Sequence, residues 1–359
     1  MAQSDYYYRF SIVIVTWNAL HHLKNYLPSV AATDYPDFEI VIADNNSTDG
    51  TRQWVREHYP HAVIAPFDDN YGYCGGNNRA VPHTSGSILL FLNNDVRLEP
   101  GWLHGLNRMF NQYPEMAAAQ PKMLDDRSPN YFEYAGAAGG LMDKYGFPFC
   151  RGRIFDTLEE DKGQYDEGDA PIFWASGAAL AIKKKVFENA GGFDEDFEFH
   201  MEEIDLCWRL WNQGYSVRYC PESTVYHLGG GSLSRENPRK VYYNFRNNLY
   251  MLVKNWRTRD LWLRMPIRMI LDSLAMEKFF NSLSFREAWA VFRAYLSFWG
   301  NLFTSLKKRR NLQKKRKVAE NPPVMASFSL VFQYFLRKRK SFTQLPKSNI
   351  PKSLPRDSK

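Results

Sequence analysis

The sequence contains few cysteines, and their spacing gives no sign of a metal or redox site. There are four in 359 residues, and no two form a CxxC pair: Cys74, Cys150, Cys207 and Cys220. Thiolate zinc sites and dithiol redox motifs are built on such closely spaced pairs, so neither is expected. We expect the four thiols to be reduced.

Long apolar runs are also missing. The nearest candidate, residues 261–306, is interrupted by eight charged side chains, whereas a membrane-spanning helix needs roughly 18 consecutive apolar residues. The first residues, MAQSDYYYRF, lack the basic segment and apolar stretch of a secretory signal. These absences predict a cytoplasmic protein that does not cross a membrane.

Composition is that of a globular protein, but the charge is unevenly distributed. Hydrophobic residues make up 44% and charged residues 24%, as in proteins with a sizeable core. Residues 301–359 carry a net charge of +14 and residues 1–300 a net charge of −7. The positive charges are concentrated in three blocks, 307–310, 314–317 and 337–340. Such blocks suit a phosphate-rich surface, either anionic lipid or nucleic acid; a merely solvated tail is the alternative. The segment contains no recognised nucleic-acid motif, so nucleic acid is not expected as a partner.

Short apolar runs alternate with helix-like segments in the first hundred residues. Four runs have the character of buried parallel strands: 10–17, 38–45, 62–67 and 88–95. Ser47 or Thr48 is expected to cap the helix after the second run, with Asp49 supporting the loop or the helix start. The alternation predicts an α/β fold with a parallel sheet and right-handed crossovers.

Polar residues follow all four runs. The clusters are Thr16 and Asn18, Asp44 to Asn46, Asn70 to Asn78, and Asn93 to Asp95. Ligands of parallel α/β sheets bind at the carboxyl ends of the strands, so these clusters predict one shared site. No GxGxxG opens the first helix, which disfavours a dinucleotide-binding domain.

Six segments in a fixed order span about residues 10–256. They are SIVIVTWNALHHLKNYLPSV, IVIADNNSTDGT, NYGYCGGNNRAV, LFLNNDVRLEPGWL, the stretch 176–232 beginning SGAALAIKKKVF, and NFRNNLYMLVKNW. Together they resemble the inverting glycosyltransferases of family 2, particularly the bacterial rhamnosyltransferase-like members. The resemblance implies the GT-A fold, with a mostly parallel central sheet flanked by helices.

The resemblance also implies a nucleotide-sugar site. Asp44 would accept a hydrogen bond from the imide N–H of uracil or thymine, because a charged acceptor strengthens that bond. A turn-capping role is the alternative for Asp44. The other residues expected to contact the donor are Thr16, Asn18, Asn46, Gly75, Asn77, Asn78 and Asn94.

A divalent cation, Mg²⁺ or Mn²⁺, is implied beside the donor diphosphate. The segment from Asn93 to Asp95 occupies the place of the family's DxD motif, with Asp95 as its acidic ligand and Asn93 a departure from the two-carboxylate pattern. Turn formation is the alternative for these asparagines. His227 matches a histidine that many relatives place beside the metal or diphosphate; packing under Gly229 to Gly231 is its alternative role.

The catalytic base is expected in the acidic cluster at 202–205. Relatives usually read Glu-Asp-x-Asp there, and the base position corresponds to Glu203, with Glu202 or Asp205 as alternative bases or acceptor-orienting groups. Acidic residues are also expected at a helix N-terminus simply because of the helix dipole. Trp174 is expected to stack on a sugar of the acceptor.

The implied reaction is a single displacement with inversion. Glu203 would remove the acceptor's hydroxyl proton, and the oxygen would attack the anomeric carbon as the diphosphate leaves from the opposite face. The donor would be a dTDP- or UDP-sugar, with rhamnose one of the sugars considered, and the acceptor a glycan or polyprenyl-linked glycan in cell-surface polysaccharide synthesis. A catalytically degenerate sugar-nucleotide-binding protein or peripheral-membrane adaptor is the alternative, because Asn93 and Glu203 depart from the family pattern.

Three regions are expected along the chain: a catalytic domain at 1–255, an amphipathic helical region at 256–306 and a basic, partly flexible membrane-associating tail at 307–359. Aromatic and aliphatic residues between Leu261 and Phe303 are mixed with arginine and lysine, as in helices that lie among lipid headgroups. Packing on the catalytic domain or a homodimer interface is the alternative. The expected location is the inner face of the cell membrane.

Overall fold

Strands and helices alternate through the first hundred residues, as the sequence predicts. The computed structural model describes residues 6–168, 170–229 and 237–346. The strands are β1 Phe10–Thr16, β2 Phe38–Asp44, β3 Val63–Pro66, β4 Ile88–Leu92, β5 Val96–Leu98, β6 Met116–Asp125, β7 Gly140–Asp143, β8 Pro148–Cys150, β9 Arg153–Ile154, β10 Thr157–Leu158, β11 Ala179–Lys183, β12 Ser216–His227 and β13 Met325–Ala326. The helices are α1 Leu20–Ala31, α2 Thr51–His58, α3 Gly72–Ala80, α4 Trp102–Gln112, α5 Lys184–Ala190, α6 Glu202–Asn212, α7 Pro238–Asn255, α8 Thr258–Asn281, α9 Phe285–Gly300 and α10 Leu302–Lys314. Short helical turns lie at Val81–His83, Phe332–Leu336 and Phe342–Gln344.

A mixed eight-stranded sheet forms the centre of the fold. Its strand order is β3-β2-β1-β4-β11-β6-β12-β5. The first four strands are parallel, whereas β11 runs antiparallel to both of its neighbours, β4 and β6. Strand β12 is parallel to β6 and antiparallel to β5. The α/β prediction is confirmed, and the four predicted runs end one to three residues beyond the strands that they form.

Two apolar layers cover the faces of this sheet. Alternate residues of β1 point to opposite faces, so Ile12 and Ile14 pack in the layer that contains α1 and α4, while Val13 packs in the other. The second layer includes Leu206 and Leu210 of α6. Helix α6, which carries the acidic cluster, is therefore fixed against the sheet by its apolar side. All four cysteines are buried free thiols.

Asp49, rather than Ser47 or Thr48, supports the start of the second helix. Helix α2 begins after Gly50, and no side chain caps it. One oxygen of Asp49 accepts hydrogen bonds from the backbone N–H of Thr51 at 3.1 Å and from its hydroxyl at 2.6 Å. The other accepts the backbone N–H of Leu20 at 2.9 Å. Asp49 thus joins the starts of α1 and α2, and the predicted capping by Ser47 or Thr48 is wrong.

The helices from α7 onward pack against one another, and α7 also packs against α6. Helix α7 contacts α9 and α10, and α8 contacts α9. Part of the basic segment is used inside the protein: Arg309 of α10 is buried and donates to the backbone carbonyls of Val253 and Trp256 at 2.7 and 2.6 Å. Strand β13 then pairs with β7.

The division of the chain into three regions stays a prediction, because it depends on where one folded unit ends and the next begins. No helix within the described ranges is long and apolar enough to cross a membrane.

Candidate active site

The carboxyl ends of β1, β2 and β4 meet at one edge of the sheet. Thr16 lies beside Asp44 in the strand register, and the backbone N–H of Asn45 donates to the Thr16 carbonyl at 2.9 Å. The amide of Asn94, just beyond β4, lies 3.5 Å from the Thr16 hydroxyl. The polar clusters that follow these strands are therefore neighbours in space.

Asp44 is fully buried, and protein groups already occupy its carboxylate. The Arg52 guanidinium donates to it, and the backbone N–H of Ser47 lies 3.3 Å from both of its oxygens. Arg52 also donates to the Phe67 carbonyl at 2.9 Å, which fixes its position. Asp44 therefore organises the turn after β2 in this conformation, and recognition of a nucleobase would have to share the carboxylate with Arg52.

Two asparagines hold the loops beside Asp44 in left-handed backbone conformations. Asn18 has φ 47° and Asn46 has φ 62°, a region that asparagine tolerates better than most residues. The Asn18 side chain accepts the backbone N–H of Thr48 at 2.8 Å. The Asn46 amide donates to the Asp68 carbonyl at 3.1 Å. Both side chains thus shape the rim of the site.

The three residues of α3 that were predicted to bind the sugar donor make contacts within the protein. A Cβ atom on Gly75 would come within 2.8 Å of both the Tyr71 side chain and the Arg79 guanidinium, so glycine is needed there. Asn77 is buried and donates to the carbonyl one turn back. Asn78 exchanges two hydrogen bonds of 2.9 Å with the backbone of Phe193. These contacts give Asn77 and Asn78 a structural role, and no donor contact is needed to explain them.

Asp95 and His227 are brought together although they lie 132 positions apart in the chain. His227 ends β12 and Asp95 precedes β5, and those strands pair next to each other. One Asp95 oxygen lies 3.2 Å from His227 Nε2, and the Asn93 amide lies 3.3 Å from the same nitrogen. On the other side of the ring, Glu133 Oε1 lies 3.3 Å from Nδ1, an ion-pair distance without hydrogen-bond geometry. We call Asn93, Asp95, Glu133 and His227 the histidine cluster.

The charges of the histidine cluster perturb one another strongly. Burial alone would lower the pKa of His227, but Glu133 and Asp95 outweigh it and raise that pKa to about 10. Burial would raise the pKa of Asp95, yet the bond to His227 and its charge lower it. Glu133 was not among the residues expected from the sequence. It lies in the irregular segment between β6 and β7, where neither periodicity nor a motif marks it.

Asp95 and His227 of the histidine cluster are the two groups that would hold a divalent cation. Asp95 Oδ1 lies 3.2 Å from His227 Nε2, and in this conformation the contact is a charge-assisted hydrogen bond, because a pKa of about 10 keeps His227 protonated. A cation would have to replace that proton, since a metal binds the neutral imidazole. Across the described ranges, no group of three or more His, Cys, Asp and Glu side chains converges as a preformed metal site. A protein that offers two ligands suits a cation completed by diphosphate oxygens and water, which is how Mg²⁺ is commonly held. Gly230 and Gly231, expected near the phosphates, lie outside the described residues.

Glu202 is buried and Glu203 is half-buried in the first turn of α6. His200 and Met201, just before it, have φ values of 67° and 75°, an uncommon conformation for such residues that clusters at functional sites. Burial raises the pKa of Glu203 to about 7. Burial and the neighbouring Glu203 raise the pKa of Glu202 well above its ordinary value. One oxygen of each carboxyl has no hydrogen-bond partner among the described residues. Glu203 is therefore near half-ionised at neutral pH, as a general base requires.

Glu133 and Glu203 approach the same buried thiol. The pKa of Cys150 is raised mainly by burial; Arg153 lowers it, and the charges of Glu133 and Glu203 both raise it further. The thiol is fully buried at the end of β8. The histidine cluster and the head of α6 therefore each contribute a carboxylate that acts on Cys150.

Asp205 is part of an internal charged network. It is fully buried and accepts from Arg209 at 2.9 Å and from Asn255 at 2.7 Å, with Lys254 Nζ at 3.0 Å. Lys254 also pairs with Asp194, which in turn pairs with Lys308 of α10. We call Asp194, Asp205, Lys254 and Lys308 the charged seam. These contacts leave Asp205 no free access to an acceptor, so the structure does not support its alternative assignment as the base.

Asp205→Asn is expected to destabilise the fold, because it leaves charged partners buried without their counter-charge. Breaking a buried pair from one side costs about 3 kcal/mol or more, which urea unfolding would detect. Glu203→Gln, on the same helix but outside the seam, is the control and should leave the free energy of unfolding nearly unchanged. A stable but inactive Asp205→Asn protein would instead restore Asp205 as a candidate base.

Trp174 lies in the core. Its indole N–H donates to the Leu141 carbonyl at 2.9 Å, and only 3% of the residue is exposed. A Cβ atom on Gly140 would come within 2.1 Å of the indole ring, so the ring is packed directly on that backbone. This placement leaves almost no ring surface for a sugar, contrary to the expected stacking role.

Comparisons with known proteins agree with this geometry. Residues 11–179 match the model of glycosyl transferase family 2. The chain is rhamnosyltransferase-like in sequence. It is 27% identical over 284 residues to an N-acetylglucosaminyl-diphospho-decaprenol L-rhamnosyltransferase of Mycobacterium tuberculosis, which covers 74% of this chain and 90% of that protein. It is 25% identical over 256 residues to the O-antigen chain rhamnosyltransferase WbaN of Salmonella anatum, covering 70% of this chain and 75% of that one.

The fold matches a solved glycosyltransferase. The structure of GalNAc-T7 with UDP, GalNAc and Mn²⁺ superposes with a TM-score of 0.54 at 14% identity, over 71% of this chain and 49% of that one. At that identity the likeness concerns the fold alone. The predicted GT-A fold is confirmed. The family match over residues 11–179 and the two rhamnosyltransferase relatives support glycosyltransferase activity.

Proposed function

We propose that this protein transfers a sugar, with inversion, from a dTDP- or UDP-linked donor to a glycan or polyprenyl-diphosphate-linked acceptor in cell-surface polysaccharide synthesis. Rhamnose is the sugar that the names of two relatives favour. The observation that carries the proposal is the carboxyl of Glu203, which has one buried oxygen without a hydrogen-bond partner among the described residues and a pKa that burial raises to about 7. Glu203 would take the proton at neutral pH, and the histidine cluster would face the departing diphosphate.

Glu203 would act as the general base. Its position in the first turn of α6 is fixed because the apolar side of that helix is packed in the core. In the unprotonated form its free oxygen accepts the proton of an acceptor hydroxyl, which makes that oxygen a better nucleophile towards the anomeric carbon. Glu202, held protonated by its burial and by Glu203, would serve as a hydrogen-bond donor beside it.

Asp95 and His227 would hold the donor diphosphate through Mg²⁺ or Mn²⁺, with Asn93 beside them. When bound, such a cation supplies a Lewis acid that neutralises the charge gathering on the leaving group. Glu133 would add a negative charge on the opposite side of the His227 ring, 3.3 Å from Nδ1. Thr16, Asp44 and Asn94, at the neighbouring strand ends, would line the nucleoside part of the donor.

The test is a donor screen followed by a transfer assay on the full-length protein. Thermal shifts with dTDP-rhamnose, other dTDP-sugars and UDP-sugars, with and without Mn²⁺, should show one donor that raises the unfolding temperature more with the metal. Transfer of that sugar to a synthetic N-acetylglucosaminyl-diphospho-lipid is then expected. A protein that binds no donor and transfers no sugar under these conditions would overturn the proposal.

We also infer that the C-terminal helices attach the enzyme to an anionic membrane. The buried charges of α8 point inward: Arg268 donates to Asp272 at 2.9 Å, and the hydroxyl of Tyr295 in α9 donates to the same carboxylate at 2.8 Å. The large apolar side chains of α8 are exposed instead: Trp262, Leu263, Ile267, Ile270 and Leu274. Trp262 is 77% exposed. A helix that exposes a row of large apolar side chains to water is unfavourable. The same face is well suited to contact the acyl chains of a membrane.

Trp262→Ser with Leu263→Ser should weaken binding to phosphatidylglycerol vesicles by about tenfold or more, because two large apolar side chains no longer enter the lipid. Cosedimentation with vesicles measures the effect. Tyr131→Ser, which removes an exposed aromatic ring far from α8 in the sequence, is the matched control. If the double variant binds vesicles normally but loses self-association in analytical ultracentrifugation, the apolar face is a homodimer interface.

A further inference from the structure

A groove between α7 and α9 has the chemistry of an anion site. Its volume is about 430 Å³, and it is lined by three arginines and three aromatic residues: Arg239, Arg286, Arg293, Tyr242, Tyr243 and Trp289. None of the three arginines forms an ion pair with a residue that the structure describes. The charge of Glu198 acts on Arg239, so Arg286 and Arg293 are the two arginines of the groove that have no carboxylate partner among the described residues.

The arginines are held beside aromatic rings. The Arg239 guanidinium lies 3.3 Å from the Tyr243 hydroxyl, and the Arg293 guanidinium carbon lies 5.4 Å from the centre of the Tyr242 ring. The Tyr243 hydroxyl donates to Glu198, and Arg246 lies 3.4 Å from the same carboxylate. Glu198 is therefore engaged by its own partners, and the donors of Arg286 and Arg293 remain available for an anion.

The groove adjoins the segment that carries the proposed base. Phe199 packs against Tyr243, with 5.8 Å between ring centres. One turn further along α7, the Asn247 amide donates to the carbonyls of Phe199 and His200 at 2.7 and 2.9 Å. Those residues lead directly into Glu202 and Glu203. An anion in the groove would thus be anchored beside the head of α6.

The other end of the groove leads to an apolar surface. Trp289 is 57% exposed and stacks on Phe292, with ring centres 5.3 Å apart. Leu296 and Trp299 continue this exposed apolar row along α9. A ligand with a charged middle and a long apolar chain would satisfy both halves of this surface.

We propose that the groove binds the diphosphate of a polyprenyl-linked acceptor. Arg239, Arg286 and Arg293 hold the phosphate oxygens, the sugar extends towards Glu203, and the lipid chain leaves over Trp289 and Phe292. Arginine suits this role because its planar guanidinium makes paired, charge-assisted hydrogen bonds to phosphate. The inference rests on the proposed function, of which it specifies how the acceptor is recognised.

Arg286→Ala with Arg293→Ala tests the proposal in two assays. In transfer reactions at saturating donor, the KM for an N-acetylglucosaminyl-diphospho-lipid should rise by about tenfold or more, since two charge-assisted contacts are lost. The kcat should stay nearly unchanged, and so should the KM for an alkyl N-acetylglucosaminide that has no diphosphate. Arg310→Ala, which removes an exposed arginine of α10, is the control and should change neither constant.

The second assay does not depend on turnover. Wild-type protein should bind farnesyl diphosphate at least about tenfold more tightly than farnesol, and the double variant should lose that preference. If the variant binds farnesyl diphosphate as the wild type does, the proposal is overturned, whether or not the protein transfers sugar. Reduced binding to phosphatidylglycerol vesicles with unchanged farnesyl diphosphate binding would assign the arginines to lipid headgroups and would overturn it as well. Normal transfer by the variant to the diphospho-lipid would refute the groove while leaving the proposed function intact.

Discussion

Glu203→Gln is expected to lower kcat by about 10²- to 10⁴-fold while the affinity for the donor stays unchanged. Glutamine keeps the size of the side chain but cannot take the acceptor's proton. The donor is expected at the carboxyl edge of the sheet, so its binding should not depend on this group. Single-turnover transfer gives the rate, and donor titration followed by isothermal calorimetry gives the affinity.

Glu202→Gln is the matched control, one residue away and with the same chemical change. Burial and the neighbouring Glu203 raise the pKa of Glu202 well above its ordinary value. This shift favours the protonated form, which glutamine resembles closely. The variant should keep most of the activity. A large loss in Glu202→Gln with little loss in Glu203→Gln would exchange their roles.

The wild-type rate should also rise with pH. A base whose pKa is raised to about 7 by burial is protonated and inactive below that pH and is active above it. We expect kcat to climb through about pH 7 and then level off, and Glu203→Gln should lose this rise. A wild-type profile that stays flat from pH 5.5 to 8.5 would contradict the assignment.

Asp95→Asn is expected to reduce the rate of sugar transfer by about 10³-fold and to weaken the Mn²⁺ dependence of the residual activity. The reason is that a cation at this site would stabilise the charge developing on the leaving diphosphate by several kcal/mol. Asparagine keeps the shape of the side chain and removes its charge. Transfer rates over a Mn²⁺ series, together with the water-proton relaxation of bound Mn²⁺, separate loss of metal from loss of fold.

The control for this variant is Asp126→Asn. Asp126 is a neighbouring carboxylate that accepts from Arg97 at 2.8 Å and from Tyr26 at 3.1 Å. Its backbone N–H donates to the His227 carbonyl at 3.1 Å, a bond that the substitution keeps. Its variant should retain the metal dependence. Full activity of Asp95→Asn without added metal would remove the cation from the proposed mechanism.

The sequence predicted the parts of the molecule that depend on local pattern. Strands β1 to β4 follow from short β-branched runs, and the shared edge follows from the rule that parallel strands end together. Asp95 and His227 were identified as candidate ligands by resemblance, but their contact arises from the pairing of β5 with β12, which no local pattern shows.

Burial and long-range partners account for what the sequence did not predict. Glu133 stands in an irregular segment and becomes part of the site only when that segment packs under β12. Trp174 and Asp205 have the residue types of a sugar platform and a base, yet tertiary packing encloses both. An amphipathic helical region at 256–306 stays a prediction, and only the structure shows that Arg268 and Asp272 of α8 are buried while Trp262 is exposed.

The charged seam restricts which parts of the enzyme can be exchanged with those of a relative. Lys308 of α10 neutralises Asp194, and Asp194 shares Lys254 with Asp205 behind the head of α6. A chimaera that exchanged the C-terminal helices with those of a relative, in order to change the acceptor, would bring in a foreign partner for Asp194. Such an exchange should yield folded protein only when both sides of the seam are transplanted together, so acceptor preference and the placement of the proposed base would be inherited as one unit.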